Sequence, residues 1–163
     1  MIKITLEQLQ EMRACEAGIV WFKGQRARTL KRIVPALIKS GHASYAFWLL
    51  PRLMTHPQQI NLAIYAAEQV LESFEKEHPT DDRPRKAIQA AKDFLAGKIT
   101  ANAAYAAANA ADAAAYAAGA AAYATGAAAN AAGAAYAARR AMETKIAIYG
   151  LELLGEGGKR HGK

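Results

Sequence analysis

The sequence has a single cysteine among its 163 residues, which excludes two kinds of covalent or metal cross-link. Cys15 has no partner for an intramolecular disulfide and no companions for a cysteine-based zinc site, so we expect it to pack as a small apolar residue. The four histidines, at positions 42, 56, 78 and 161, are scattered without helical ligand spacing. We therefore expect no metal and no other cofactor.

The motifs of common catalytic sites are also missing. The chain contains no glycine-rich phosphate loop, no GxSxG elbow and no HExxH pair. Asp81 and Asp82 are adjacent in a helix-capping position, and Glu68, Glu72 and Glu75 share a solvated helix face. Neither set has the buried setting that raises the pKa of a carboxyl group for acid catalysis, so we expect that the protein is not an enzyme.

The N-terminal residues lack the basic and then apolar pattern of a secretory signal, so the sequence predicts a cytoplasmic protein. The alanine-rich stretch 101–141 is long enough to cross a membrane, but alanine is only marginally apolar. Asp112 alone would cost up to about 2.5–3.5 kcal/mol in lipid, and Asn102, Asn109 and Asn130 would add to that cost. We expect no membrane partner.

No segment alternates between apolar and polar residues as a half-buried strand does, whereas spacings of three and four recur throughout. The predicted fold class is all-α. We expect one helical bundle domain over residues 1–154, with about six to eight helices. Residues 155–163 should form a disordered basic tail.

Helix boundaries follow from capping and stop signals. Thr5 and Gln8 match a capping box that opens a first helix over residues 6–22. Thr29 caps a second helix that ends at Gly41, and Pro35 predicts a kink or a later start. Ser44 caps a short helix that stops or bends at Pro51, with Trp48 at the centre of the N-terminal core.

Later helices are marked in the same way. His56 and Pro57 open a helix whose predicted inner face is Ile60, Ala63, Ile64, Ala67, Val70, Leu71 and Phe74. Asp81 and Asp82 open the next helix, which has Ile88, Ala91 and Leu95 inside and ends at Gly97. Thr100 caps the alanine-rich stretch, and a last helical segment with Ile146, Leu151 and Leu154 ends at Gly155.

Alanine makes up about two residues in three of the stretch 101–141, and the other residues fall on one helical stripe, apart from Thr125 and those from Tyr136 onward. The tyrosines and asparagines of this stripe form either a binding groove or a packing seam between small-faced helices. One straight helix would be about 60 Å long, against a diameter of roughly 40 Å for a compact domain of this size. We therefore predict a closely packed helical hairpin broken between Gly119 and Gly126, with one long helix buried in a homo-oligomer as the alternative.

The net charge is +7, and its excess is concentrated near the N-terminus. A basic cluster attracts nucleic acid, an acidic protein surface or anionic lipid, although it can also be an ordinary solvated helix face. No aromatic residues alternate with these charges for base stacking. The cluster consists of Lys23, Arg26, Arg28, Lys31, Arg32 and Lys39.

Three segments carry a family resemblance: residues 14–22 (ACEAGIVWF), residues 47–50 (FWLL) and, above all, residues 81–92 (DDRPRKAIQAAK) followed by the alanine and tyrosine repeat. With these segments the chain resembles the type-five-like immunity proteins of bacteria and phages. The resemblance implies a cytoplasmic, non-enzymatic protein that binds and neutralises a toxin or a host defence enzyme. It brings no contact residues with it.

Two other functions stay open from the residues alone. The basic cluster also suits an accessory protein that binds nucleic acid, and the alanine faces suit a structural or assembly protein. The candidate partner-binding residues are the first five cations of the basic cluster and four charges at the start of the DDRPRKAI segment: Lys23, Arg26, Arg28, Lys31, Arg32, Asp81, Asp82, Arg83 and Arg85.

Overall fold

The computed structural model describes residues 1–100, 102–103 and 134–156, and within these ranges the chain is all-α as predicted. The described residues contain no strand; a single antiparallel bridge pairs Lys3 with Thr29. The helices are α1 (Leu6–Glu11), α2 (Glu16–Lys23), α3 (Leu30–Lys39), α4 (Ala43–Arg52), α5 (His56–Glu77), α6 (Arg83–Leu95) and α7 (Ala134–Leu153). In the part of the chain that is described, no helix is both long and apolar enough to cross a membrane.

The chain divides into two compact units. The first unit comprises Met1–Gln58 with Glu143–Lys163, and the second comprises Gln59–Met142. One domain over residues 1–154 stays a prediction.

The core of the first unit lies along α3. Apolar residues recur in α3 at one- and three-residue intervals and form one face, which packs on α4. Leu30, Ile33 and Val34 of α3 and Leu50 of α4 are at most 1% exposed. The segment before α1 covers the start of α3, because the Leu30 N–H donates to the Ile2 carbonyl at 2.9 Å and the Ile4 N–H donates to the Arg28 carbonyl at 2.8 Å.

The two ends of the first unit are joined by a buried carboxylate. Glu156 is 6% exposed, its carboxylate lies 3.1 Å from the Met1 amino group, and it accepts a hydrogen bond from the Ile2 N–H. Gly155, at φ +73°, closes α7 just before it. The predicted tail begins at Gly155, and its residues 157–163 lie outside the described ranges.

The predicted single helix over residues 6–22 is wrong, because the helix is interrupted between Met12 and Cys15 and two helices form instead. The capping box of Thr5 and Gln8 is present. Helix α1 then ends after two turns in a Schellman motif, in which the Ala14 N–H reaches the Leu9 carbonyl at 2.9 Å. Arg13 takes the left-handed position at φ 59°, where a glycine is usual, so the sequence holds no recognisable stop signal.

Helix α3 starts directly after Thr29 as predicted, whereas α4 starts earlier than its predicted cap. Helix α3 begins at Leu30 with Pro35 inside it, and Gly41, at φ +82°, ends it as predicted. In α4 the N-cap position belongs to His42, whose side chain makes no capping hydrogen bond, and not to Ser44; the helix continues through Pro51 to Arg52. Gly41 turns the chain so sharply that the next helix starts two residues later, which leaves no room for a Ser44 cap.

Trp48 is not the centre of the N-terminal core. Its side chain is only half-buried and lines a cavity, while the Arg52 guanidinium stacks on its ring at 4.1 Å. The fully buried positions belong to Ile4 and to the α3 and α4 aliphatic residues named above. An indole is too large to be enclosed by helices this short, so the branched aliphatic side chains fill the interior.

The inner face predicted for α5 is partly wrong. Ile64 and Phe74 are buried, but Val70 is 39% exposed and Ala63 is exposed. Leu62, two residues before Ile64 and therefore on the opposite side of the helix, is buried as well. Helix α5 is covered on two sides, which a search for a single apolar stripe does not detect.

Helix α6 begins and ends close to its predicted bounds. Its predicted inner residues Ile88, Ala91 and Leu95 are half-buried, and Gly97 ends it at φ +68°. The Thr100 hydroxyl accepts a hydrogen bond from the Ala103 N–H at 3.4 Å, as a cap should. The predicted hairpin, its break between residues 119 and 126, and the long-helix alternative lie outside the described residues.

Removing one core side chain tests this account of the first unit. We expect Leu50→Ala to lower the free energy of unfolding by about 2–5 kcal/mol, because it empties a fully buried site. Val20→Ala is the control, because Val20 is 63% exposed and should change stability by no more than about 0.5 kcal/mol. Urea unfolding of the two variants measures both values, and equal losses would contradict the assigned core.

Candidate functional site

Five of the predicted partner-binding residues lie on two helix ends and the loop between them. Lys23 is the last residue of α2, Arg26 and Arg28 follow in the loop, and Lys31 and Arg32 occupy the first turn of α3. All five are exposed, and we call them the basic face. Lys39, the sixth cation of the sequence cluster, lies in the last turn of α3 at the other end of the helix.

Arg28 has a structural role within the basic face. Its guanidinium donates to the Phe22 carbonyl at 2.9 Å and to the Gln25 carbonyl, and it stacks on the Phe22 ring at 4.4 Å. The Phe22 carbonyl is at the C-terminal end of α2, where a cation is favoured by the helix dipole, and Gln25 lies in the loop that follows. Arg28 therefore holds the loop in place.

The other four cations of the basic face have a different setting. Within the described residues, Lys23, Arg26, Lys31 and Arg32 form no ion pair. Lys31 and Arg32 also lie at the positive end of the α3 dipole, because they are in the first turn of the helix. This turn contains no acidic residue that would offset their charge, and the Thr29 side chain does not cap it. These charges do not help α3 to form, and they are available to an external anion.

Ion pairs within the chain occupy the charged residues at the start of α6. The Arg83 guanidinium binds Asp81 through two nitrogens at 2.8 and 2.5 Å. Arg85 binds Glu75 of α5 with two hydrogen bonds of 2.7 Å, and the Lys86 ammonium lies 2.8 Å from Asp82. We call these paired residues the charge cluster: Glu75, Asp81, Asp82, Arg83, Arg85 and Lys86.

The charge cluster ties α6 to α5 in the second unit. Arg85 reaches Glu75, and Lys92 lies 2.6 Å from Glu68. The sequence predicts that both glutamates lie on a solvated helix face, and the residue pattern within α5 does not indicate their partners in α6. Asp81 also accepts a hydrogen bond from the Arg83 backbone N–H at 3.1 Å, so it satisfies a free amide at the helix start as predicted.

These contacts lower the pKa of the carboxyl groups that make them. Hydrogen bonds from the Arg83 side chain lower the pKa of Asp81 from 3.8 to about 2. The hydrogen bonds from Arg85 lower the pKa of Glu75 in the same way. General acid catalysis at neutral pH requires a shift in the opposite direction, so these carboxylates act as fixed negative charges.

The first unit contains a cavity that is not among the sites predicted from the sequence. It lies between α2, α3 and α4, and both tryptophans of the chain line it. The signal was present in the sequence, since Gly18, Trp21 and Phe22 share one face of α2 and Tyr45, Trp48 and Leu49 share one face of α4. The sequence pattern predicts Trp48 only as a core residue.

Comparison with known proteins adds one finding. A family model described as "Imm-5 like putative immunity protein" matches residues 50–162, which is more than half of the chain. The match includes the charge cluster and the alanine-rich stretch, and it begins after the basic face and after the segment 14–22. No curated protein and no solved structure matches the chain.

The stability that the Asp81–Arg83 ion pair contributes should depend on pH. The stability that this pair contributes is present above 3.8, the ordinary pKa of an aspartate, and is lost as the pH falls through about 2. Carboxyl NMR titration should give Asp81 a pKa of about 2 in the wild-type protein. In Arg83→Gln the value should rise toward 3.8, because the charged partner is gone.

Lys86→Gln is the matched control for this titration, because it removes the neighbouring cation that binds Asp82. We expect it to leave the pKa of Asp81 unchanged. A low Asp81 pKa that persists in Arg83→Gln would show that Arg83 is not its cause.

Proposed function

Because this chain belongs to the Imm-5 like putative immunity protein family, we propose that it is an inhibitor that binds another protein and has no chemistry of its own. Its target would be a toxin or, for a phage protein, a host defence enzyme. The family match over residues 50–162 is the observation that carries this proposal. The lowered carboxyl pKa values of Asp81 and Glu75 support a binding role over an acid-base catalytic one.

We assign the partner contact to the basic face. Its four cations without an ion pair among the described residues can meet carboxylates of a partner without first breaking a contact. The charge cluster would have to give up three internal pairs to do the same. The proposed contact therefore uses Lys23, Arg26, Lys31 and Arg32, while Asp81, Asp82, Arg83 and Arg85 hold α6 in place.

Nucleic-acid binding is the second candidate for the same surface. The exposed cations of the basic face would neutralise phosphates as readily as carboxylates. The lack of interleaved aromatic residues for base stacking favours a protein partner.

A charge reversal in the first turn of α3 tests the assignment. We expect Lys31→Glu with Arg32→Glu to weaken partner binding about tenfold or more, equivalent to about 1.4 kcal/mol. The new glutamates would meet the positive end of the α3 dipole, so the helix itself should be favoured and the melting temperature should not fall. The partner is first isolated by affinity purification from the native host, and its affinity is then measured by calorimetry with purified components.

The control variant carries Lys76→Glu and Lys145→Glu, which change the net charge by the same amount at exposed positions outside the basic face. It should bind the partner as the wild-type protein does. Equal weakening by both variants would contradict the basic face as the contact. A gel shift with DNA and RNA at low salt decides the second candidate, because binding that falls steeply with salt and is lost in the α3 variant would indicate nucleic acid.

A further inference from the structure

The first unit contains a cavity of about 340 Å³ that neither the family match nor the proposed function explains. Its volume is within the range of about 300–1,000 Å³ that is typical of small-molecule sites. Every residue that lines it precedes Leu50, where the family match begins. The cavity is therefore formed by residues outside the family match, and the proposed immunity role does not use it.

Two helix faces form the walls of the cavity. Gly18 and Trp21 of α2 face Tyr45 and Trp48 of α4, while Ile33 of α3 lies between them at the buried end. The three aromatic side chains remain half-buried, so flat apolar surface lines the opening. Gly18 contributes room, since a methyl group there would lie 3.4 Å from the Cys15 sulfur and 3.9 Å from the Tyr45 ring.

Arg13 brings a positive charge to this apolar site. It is the one charged residue among the described residues that line the cavity, and within the described chain it forms no ion pair. Its backbone is held at φ 59°, a conformation that is common for glycine but that L-residues other than asparagine, aspartate and histidine seldom adopt. Strain of this kind is concentrated at binding and catalytic sites, where the position of a side chain matters more than local stability.

We propose that this cavity binds a small molecule with a flat apolar or aromatic body and one carboxylate-like anionic group. The apolar body lies between Trp21, Tyr45 and Trp48, and Arg13 binds the anionic group at the opening. The hydroxyl groups of Ser44 and Tyr45 provide neutral hydrogen-bonding partners at the cavity wall. No lining side chain among the described residues carries a negative charge that would repel the ligand.

The chain carries its own reporters for this site, because both of its tryptophans and its only cysteine line the cavity. Phenylbutyrate serves as the anionic probe and phenylbutanol as its uncharged analogue. We expect phenylbutyrate to change the tryptophan emission with saturation and to slow the reaction of Cys15 with a thiol reagent. Its affinity for the wild-type protein should exceed that of phenylbutanol about tenfold.

Two variants separate the apolar body from the charge. Gly18→Leu fills the cavity, should be compatible with the middle of α2, and should abolish the response to both probes. Val20→Leu makes a similar addition on the exposed side of α2 and should leave binding unchanged. Arg13→Gly suits the left-handed backbone, should weaken phenylbutyrate about tenfold and should leave phenylbutanol within about twofold.

The proposal is overturned if phenylbutyrate gives no saturable emission change in the wild-type protein, or if Gly18→Leu and Val20→Leu bind it equally. If the two probes bind with equal affinity and Arg13→Gly does not alter that affinity, the proposal of an anionic ligand is overturned. If Gly18→Leu does not fold, the wild-type cysteine reaction decides. Protection by phenylbutyrate at about a tenfold lower concentration than by phenylbutanol supports the site, equal protection by the two rejects the anionic ligand, and no protection by either rejects the site.

Discussion

The first unit depends on the burial of one face of α3. Leu30, Ile33 and Val34 lose almost all contact with water against α4 and the segment before α1. Burial of apolar surface is the main favourable term in folding, and it fixes the rotation of α3 about its axis. Lys31 and Arg32 are then forced outward, so the basic face results from the same constraint that forms the core.

Among the described helices, four end at a residue in the left-handed conformation, and in all but one of these four that residue is glycine. Gly41, Gly97 and Gly155 each take the left-handed position after a helix, where the absence of a side chain removes the steric cost. Arg13 takes the same position after α1 without that advantage. The exception lies at the opening of the cavity, and departures from local rules tend to occur where function requires them.

The two charged regions differ in what surrounds each charge. In the charge cluster, Arg83 and Arg85 each form two hydrogen bonds to a carboxylate of the second unit. In the basic face, Lys31 and Arg32 have no such partner among the described residues. Both regions are rich in charged residues. Of the two, only the charge cluster, which lies within the family match, forms ion pairs that join two helices.

The sequence by itself determined the helical class, the stop signals at Gly41 and Gly97, and the caps at Thr5 and Thr100. These features depend on residues within about one helical turn of each other, and such local preferences can be read directly. Tertiary structure alone decided the break at Arg13, the half-buried position of Trp48 and the pairing of Arg85 with Glu75. Each of these depends on which surfaces meet after the chain folds, because packing and long-range charge contacts can override local propensity and leave no periodic mark in the sequence.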